Sequence, residues 1–213
     1  MPLILDHKDS FDTHISIWRM DEELEFFESS MYLYESERKE IANLSQHKLL
    51  EWYASRYLLY YMSDEVTRGP CIKDMYGKPF IAGSDRFISL SHSNEWIAVG
   101  GSKNAIGVDI QIIVNKITRI AERIYSPEEI SSVKGDQYIL GLHVLWGAKE
   151  SIYKAYGKRN IDFKKHIKVD PFIPGPEVET TGSLTLEDLH MSFIIKARKI
   201  DNFVLVYALE VDN

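Results

Sequence analysis

The sequence predicts an α+β fold of two lobes, with residues 1–103 in the N-terminal lobe and residues 104–213 in the C-terminal lobe. Three observations support this prediction. Each half contains helical patterns, each half contains short strands, and turn residues separate those strands by short connections. No clear sequence repeat relates the two halves, and the junction is expected near residues 101–105.

Both helices and strands are expected in the N-terminal half. Residues 13–18 alternate polar and apolar side chains as an early strand does, and the acidic residues 21–31 favour a helix. A second helix is expected over residues 35–64, where leucines and tyrosines supply an apolar face. Residues 74–79 contain glycine and proline and predict a turn.

Three strand patterns occupy the middle of the chain. Residues 87–92 and 96–100 are separated by a connection short enough for a hairpin. A third apolar run, residues 105–113, contains Asp109.

The next segments favour helices. Residues 117–125 have a helical pattern, and another helix begins at Ser126, because Pro127 and Glu129 complete a capping-box signature. A long helix is expected over residues 140–157, where Gly157 would end it.

Strands and a loop are expected to complete the chain. Residues 163–169 predict a strand, and residues 171–182 predict a loop interrupted by proline and glycine. Three antiparallel strands would follow, at residues 184–186, 191–198 and 203–211.

The composition narrows the class of protein. A net charge of -7 argues against a general affinity for nucleic acid, and no apolar run approaches the roughly 18 residues that a membrane-spanning helix needs. The single cysteine, Cys71, excludes an internal disulfide, and Asp6 arrives too early for the apolar region of a signal peptide. We therefore expect a cytoplasmic protein with no membrane partner.

Asp109 is the first candidate functional residue. It lies between Val108 and Ile110, so the strand pleat turns its side chain away from both. A charge among apolar neighbours is unfavourable unless it is paired or bound to metal. A structural ion pair or an exposed edge position explains such a residue as often as a metal site does.

The long helix carries a second group of candidates. Its 3.6-residue period predicts one core face and one polar face. The core face comprises Leu145, Ala148, Ile152, Ala155 and Tyr156, and the other face comprises Trp146, Lys149, Glu150, Tyr153, Lys154 and Gly157. Carboxylate oxygens suit Mg²⁺ and lysines suit phosphate, but Glu150 and Lys154 also fit a surface ion pair worth about 0.2–0.5 kcal/mol.

Weaker candidates lie in the N-terminal half. Ser89, Ser91 and His92 could donate to phosphate at the end of a strand, although the same residues are typical of a turn. Lys78 and the turn around it could contact an anion. Arg56 lies within an aromatic helix, where it could simply form an ion pair.

Taken in order, these segments resemble the 4'-phosphopantetheinyl transferase superfamily, in its two-lobed, surfactin-synthetase-activating type. The resemblance covers roughly residues 55–160. Its pieces are Arg56-Tyr57-Leu58-Leu59, Gly77-Lys78-Pro79, Ser89-Leu90-Ser91-His92-Ser93, Gly107-Val108-Asp109-Ile110, Ser126-Pro127-Glu128-Glu129, and Trp146-Gly147-Ala148-Lys149-Glu150-Ser151 with Lys154, Gly157 and Lys158.

The resemblance implies two similar lobes related by a pseudo-twofold axis, with coenzyme A bound in the cleft between them. It also implies transfer of the 4'-phosphopantetheine arm to a serine of an apo acyl or peptidyl carrier protein by a monomer that needs Mg²⁺.

It further implies roles for particular residues. Asp109 and Glu150 would bind Mg²⁺, Glu150 would act as general base, and Lys154 would stabilise the pyrophosphate. The coenzyme A site would be formed by Arg56, Lys78, Pro79, Ser91, His92, Lys149 and Lys154.

Two positions depart from the family pattern. The strand motif of the family commonly ends Asp-Ile-Glu, whereas this chain has Gln111, whose amide oxygen could bind Mg²⁺ or hold its water. Arg159 replaces a usual glycine. Because Gln111 removes a negative charge, an impaired relative that binds coenzyme A or a carrier without transfer is the alternative. A generic Mg²⁺-dependent nucleotide-binding enzyme is less favoured, because no Walker-type loop is present.

Overall fold

A computed structural model describes residues 2–9, 12–63 and 69–211. The chain divides into two compact units, Met1–Lys103 and Asn104–Asn213. Helices and antiparallel sheets occur together in both units, so the predicted α+β class is confirmed.

The first unit combines three helices with two sheets. Its strands are β1 (Leu3–Lys8), β2 (His14–Arg19), β3 (Cys71–Lys73), β4 (Pro79–Ile81), β5 (Phe87–Ser93) and β6 (Trp96–Ser102), and its helices are α1 (Leu24–Ser30), α2 (Glu35–Ile41) and α3 (Gln46–Met62). One antiparallel sheet has the order β1-β2-β6-β5, and β3 pairs with β4. Helix α3 packs on β2 and β6, where Leu58, Ile97 and Val99 are fully buried.

Most expectations for this unit are confirmed, with one correction and three strands that were not predicted. The hairpin of β5 and β6 turns at Asn94, whose φ of 52° suits an asparagine. The single helix predicted over residues 35–64 is wrong, because α2 and α3 are separate and Asp64 lies outside the described residues. The break at residues 42–45 contains asparagine and serine, which favour turns and caps over helix interiors. Strands β1, β3 and β4 were not predicted.

The second unit is built around one long helix on a five-stranded antiparallel sheet. Its strands are β7 (Ile106–Ile112), β8 (Ile167–Val169), β9 (Glu177–Leu186), β10 (Leu189–Ile200) and β11 (Phe203–Val211), in the order β7-β11-β10-β9-β8. Its helices are a 3₁₀ helix (Asn115–Arg119), α4 (Ala121–Ile124), α5 (Pro127–Ser132), α6 (Tyr138–Tyr156) and α7 (Phe163–His166). Helix α6 packs on β7 and β11.

The predicted ends of α5 and α6 are confirmed. Ser126 Oγ accepts a hydrogen bond from the Glu129 amide, and Glu129 Oε2 accepts one from the Ser126 amide. Helix α6 ends at Gly157, whose φ of 73° lies in the left-handed region that glycine tolerates.

Three expectations for this unit are corrected. The helix predicted over residues 117–125 is a 3₁₀ helix followed by α4. The strand predicted over residues 163–169 begins as helix α7, because Asp162 accepts hydrogen bonds from two successive backbone amides and caps it. The loop predicted over residues 171–182 gives way to β9, in which Gly182 packs tightly against neighbouring atoms.

The approach of α6 to β7 depends on a glycine. A Cβ built on Gly107 would lie within 2 Å of the Ser151 carbonyl oxygen, a backbone atom of the helix that cannot move aside. The helix can therefore lie directly on β7 only if residue 107 has no side chain. This packing brings residues 109 and 111 of the strand against one face of the helix.

We expect Gly107→Ala to destabilise the fold by about 1–3 kcal/mol or more, because overpacking forces the helix away from the strand. Urea unfolding measures this change. Gly101→Ala is the matched control, since a Cβ on this strand glycine would meet only an oxygen at 4.0 Å. Equal stabilities of the two variants would contradict the steric argument.

Candidate functional site

One strand and one helix of the second unit form the candidate site. Asp109 and Gln111 share a face of β7, because alternate residues of a strand point the same way. That face meets a stripe of α6 at positions i, i+4, i+7 and i+11. The stripe consists of His143, Gly147, Glu150 and Lys154.

Asp109 is held in place by an ion pair. It is only 7% exposed, and its Oδ1 lies 2.8 Å from Lys154 Nζ. Lys154 Nζ also donates to the Val108 carbonyl oxygen at 2.8 Å. The predicted surface pair between Glu150 and Lys154 is therefore replaced by a partly buried pair across the helix–strand contact.

Glu150 is the group of the site that lacks such a partner. Within the described residues, its half-buried carboxylate makes no hydrogen bond or ion pair. Burial raises the pKa of Glu150, the charge of Asp109 raises it further, and Lys154 opposes the rise. The negative charges of Asp109 and Glu150 therefore repel each other, and the neighbouring ammonium of Lys154 does not fully offset this repulsion.

Gln111 links Asp109 to a histidine. Its Nε2 donates to Asp109 Oδ2 at 2.9 Å, and its Oε1 lies 2.6 Å from His143 Nδ1. His143 Nε2 in turn lies 2.9 Å from the Val114 amide nitrogen. A Cβ on Gly147 would come within 3.1 Å of Gln111 Nε2, so the glycine leaves room for the amide.

The donor chemistry of this site fits a hard divalent cation. Asp109 and Glu150 supply carboxylate oxygens, and a cation between them would relieve their repulsion. Among the residues that the structure describes, no group of three or more His, Cys, Asp or Glu side chains is placed to hold a metal ion.

The prediction that Lys149 lies on the polar face of α6 is wrong. The residue is fully buried, and its Nζ lies 2.8 Å from Glu129 Oε1. It also donates to the carbonyl oxygens of Phe163 and Ile167. Burial lowers the pKa of Lys149, while Glu129 opposes that shift. In this structure the Lys149 ammonium is therefore occupied by protein partners.

Arg56, in the first unit, is also less accessible than expected. The residue is 2% exposed, one of its terminal nitrogens lies 3.4 Å from Glu40 Oε2, and its guanidinium lies over the Trp52 ring. These contacts show an ion pair that joins α3 to α2, and an ion pair was the simpler expectation for Arg56.

The remaining predicted residues of the first unit lie at opposite ends of β5. Lys78 Nζ is 5.7 Å from the centre of the Phe87 ring, at the start of the strand, and Pro79 follows it in β4. His92, near the other end, is exposed, and its Nδ1 lies 3.2 Å from Glu51 Oε1. Ser91 is buried. Lys78 and His92 therefore do not converge on one phosphate in this unit.

A comparison with known families tests the resemblance directly. A model of the 4'-phosphopantetheinyl transferase superfamily matches residues 105–204, a range that contains Asp109, Gln111, Glu150 and Lys154. The resemblance to this superfamily is confirmed. The match lies within the second unit, which carries the carboxylate pair.

Individual relatives support the same conclusion. A 4'-phosphopantetheinyl transferase of Bacillus subtilis is 38% identical over 87 residues, which is 39% of this chain and 39% of that protein. The 4'-phosphopantetheinyl transferase gsp of Aneurinibacillus migulanus is 35% identical over 89 residues, covering 40% and 37% of the two chains. The 4'-phosphopantetheinyl transferase ffp of Bacillus subtilis is 30% identical over 131 residues, covering 59% and 56%. The matched part of this chain thus spans between about two fifths and three fifths of each relative.

Sequence reasoning missed His143 and assigned Gly147 and Glu129 no role in the packing around the candidate site. His143 and Gly147 lie seven and three residues before Glu150, on the same stripe of α6, and that spacing is the signal that could have found them. Glu129 was predicted only as a helix cap, yet its second oxygen pairs with Lys149 and accepts from the Val169 amide.

No helix in the described part of the chain is long and apolar enough to span a membrane.

The buried pair of Lys149 and Glu129 leads to a stability prediction. Lys149→Met should destabilise the protein by about 3–5 kcal/mol, because it leaves the Glu129 carboxylate buried without its cation. Chemical unfolding measures the loss. Lys158→Met, at an exposed position, is the control.

A double variant separates the charge from the packing. Adding Glu129→Gln to Lys149→Met should recover part of the lost stability, since no unpaired charge then remains. A Lys149→Met variant as stable as the Lys158→Met control would show that the buried pair does not stabilise the unit.

Proposed function

We propose that this protein transfers the 4'-phosphopantetheine arm of coenzyme A to a serine of an apo acyl or peptidyl carrier protein, in a reaction that needs Mg²⁺. The observation that carries the proposal is the placement of Asp109, paired with Lys154 at 2.8 Å, on the strand that packs against the helix carrying Glu150. All three residues lie inside the segment that matches the superfamily.

The carboxylate pair would hold the metal. Mg²⁺ bound by Asp109 and Glu150 supplies charge neutralisation to the pyrophosphate of coenzyme A as the phosphoanhydride breaks. Asp109 is already fixed by Lys154 and Gln111, so little ordering is needed before a cation binds. Glu150 retains oxygens that no protein donor uses within the described residues.

Glu150 is also the candidate general base. Its carboxylate is half-buried on the face of α6 that meets β7, and within the described residues no protein donor uses its oxygens, so one of them is open to a proton. In the proposed step the serine Oγ bonds to the phosphorus next to the pantetheine arm. The bond from that phosphorus to the bridging oxygen breaks, adenosine 3',5'-bisphosphate leaves, and the hydroxyl proton passes to Glu150 directly or through a water.

Lys154 would supply a positive charge close to the reacting phosphate. Its ammonium is anchored by Asp109 and the Val108 carbonyl at the edge of the carboxylate pair, where it is 26% exposed. A fixed positive charge at this position stabilises negative charge that develops on phosphate oxygens.

The first unit would supply further contacts to coenzyme A. Lys78 with Pro79 and the exposed His92 are the accessible candidates, and their separation along β5 suits different parts of an extended ligand. Neither Arg56 nor Lys149 is proposed for this role, because both are buried in ion pairs. A cytoplasmic location and a monomeric state stay predictions from the sequence.

Incubation with coenzyme A, Mg²⁺ and a panel of apo carrier proteins tests the proposal. We expect mass spectrometry to show that one serine of at least one carrier gains a phosphopantetheine arm, and that chelation of the metal abolishes the gain. An unchanged mass for every carrier, with the protein folded, would contradict the proposal.

Matched variants tie this activity to the site. Glu150→Gln and Lys154→Ala should each lower turnover by about 100-fold or more, because each removes charge or proton transfer from the reacting groups. Lys158→Ala is the control, since Lys158 is exposed two residues beyond the end of α6. Equal turnover for all three would place the reaction elsewhere.

The second candidate function is binding of coenzyme A or a carrier without transfer. It is favoured by Gln111, which gives the site one negative charge fewer than a glutamate there would. If the protein is impaired, Gln111→Glu should raise transfer at limiting Mg²⁺ by about tenfold or more, because a third carboxylate strengthens metal binding. The mass-shift assay measures this rate, and a robust rate that the substitution leaves unchanged would exclude impairment.

A further inference from the structure

A glycine in the four-stranded sheet of the first unit leaves a gap on the face that α3 covers. Gly101 of β6 lies directly opposite His14 of β2 and directly opposite Ile88 of β5. Opposed residues of neighbouring strands project to the same face of a sheet. A Cβ built on Gly101 would meet only the Phe87 carbonyl oxygen, at 4.0 Å, so the space above this position is open.

The gap at Gly101 forms the floor of a cavity of about 260 Å³. Its apolar wall consists of Leu59 and Met62 from the end of α3, Ile81 of β4 and Ile88. The described residues that line the cavity all belong to the first unit. Ligand pockets of proteins commonly measure about 300–1,000 Å³ and combine an apolar lining with a few polar groups, so this cavity suits a small ligand.

His14 brings an unused polar atom to the wall of this cavity. The residue is 8% exposed, and its Nε2 lies 2.5 Å from Asp6 Oδ1 and 3.3 Å from Ser16 Oγ. Among the residues that the structure describes, none makes a hydrogen bond to His14 Nδ1. This nitrogen is not sealed in the packing, since the sealed and unpartnered side-chain nitrogens of the described chain belong to Trp52 and Arg56. Because His14 lines the cavity, its Nδ1 is open to a ligand there.

The partners of His14 decide which group Nδ1 can bind. Burial opposes the ionisation of Asp6, but hydrogen bonds from Ser16 and His14 prevail and lower the pKa of its carboxyl. An ionised carboxylate only accepts hydrogen bonds, so the ring proton lies on His14 Nε2 and is donated to Asp6. In the neutral ring Nδ1 then holds a lone pair, which accepts from a hydroxyl or N–H group.

The charged residues around the cavity compensate one another. Lys8 and Arg86 are the cations of the described lining, and Asp9 and Asp12 are its carboxylates. Arg86 donates to Asp12 Oδ2 at 2.7 Å and to the Asp12 carbonyl oxygen at 2.6 Å, while Asp9 Oδ1 accepts from the Thr13 amide at 3.1 Å. The formal charges cancel, so a charged ligand would meet no surplus of opposite charge, and its burial would be unfavourable.

We infer that this cavity binds a small, uncharged aliphatic alcohol, whose hydrocarbon part contacts the apolar wall and whose hydroxyl donates to His14 Nδ1. The open space above Gly101 supplies the volume, and the imidazole supplies the one directional contact. The inference does not depend on the proposed transfer reaction, because it uses none of the residues assigned to coenzyme A or to the metal.

Binding of cyclohexanol to ¹⁵N-labelled protein, without coenzyme A or metal, tests the inference. We expect saturable shifts of the His14, Ile88 and Gly101 backbone amide signals in ¹H–¹⁵N spectra, with a Kd of about 1 mM, as suits a ligand of this size. Cyclohexanone is the matched probe, because it has the same ring and the same number of non-hydrogen atoms but can only accept a hydrogen bond. It should bind about tenfold more weakly, because its oxygen would face the Nδ1 lone pair.

Gly101→Leu is the matched variant. Its new side chain would occupy the open space between His14 and Ile88 and should abolish the shifts that cyclohexanol causes. Thermal unfolding checks that the variant is folded. Gly101→Ala is the smaller second variant, which adds one methyl group to the same space and should weaken binding without abolishing it.

Each outcome either supports or overturns the inference. Binding of the alcohol that weakens from glycine to alanine to leucine at residue 101, with weaker binding of the ketone, supports it. Absence of a saturable shift with cyclohexanol overturns it. Shifts that persist undiminished in both Gly101 variants also overturn it, because the alcohol would then bind elsewhere. Equal affinity for alcohol and ketone overturns it as well, since His14 Nδ1 would not be the acceptor. None of these outcomes bears on transfer to a carrier, which is measured separately.

Discussion

Helix α6 and strand β7 approach so closely that one methyl group at residue 107 would overlap the helix backbone. The same contact is tight at Gly147, where a Cβ would lie 2.5 Å from a Val206 methyl carbon. Without side chains at these two positions, the carboxylates of Asp109 and Glu150 lie near enough to influence each other. The raised pKa of Glu150, caused by burial and by Asp109, is the electrostatic consequence of this packing.

On the other side of α6, the contacts of Lys149 hold the helix, and this lysine is not part of the candidate site. Lys149 is buried with Glu129 and with two carbonyl oxygens of the segment around α7. Lys149 and Glu150 are adjacent in the sequence and therefore lie on different sides of the helix. The contacts of Lys149 fix one side of the helix, while Glu150 faces the strand that carries Asp109.

The sequence could predict those features that depend on neighbouring residues. The capping box at Ser126, the end of α6 at Gly157 and the hairpin at Asn94 follow from local hydrogen bonding and backbone conformation. The core stripe of α6 also follows from its period, and Ile152 within it is fully buried. The metal-ligand roles given to Asp109 and Glu150 stay predictions.

Features that depend on distant segments could not be predicted in this way. The burial of Lys149 requires Phe163 and Ile167 to return to α6 some fifteen residues later, and no local pattern contains that information. The burial of Arg56 likewise depends on Glu40 in another helix. In both cases the sequence suggested that a charged side chain would contact a ligand, whereas the structure pairs it with a glutamate of the protein. Buried charges are usually paired in this way.

Gln111 shows why the charge of the site must be considered with its hydrogen bonds. A glutamate at this position would place a third carboxylate beside Asp109, which is paired with the ammonium of Lys154. Glutamine removes this repulsion and donates a hydrogen bond to Asp109 instead. The same substitution would lower the attraction for a cation, because an amide oxygen carries no full charge. Under the proposed function, the phosphates of the substrate would therefore have to add the negative charge that the amide lacks.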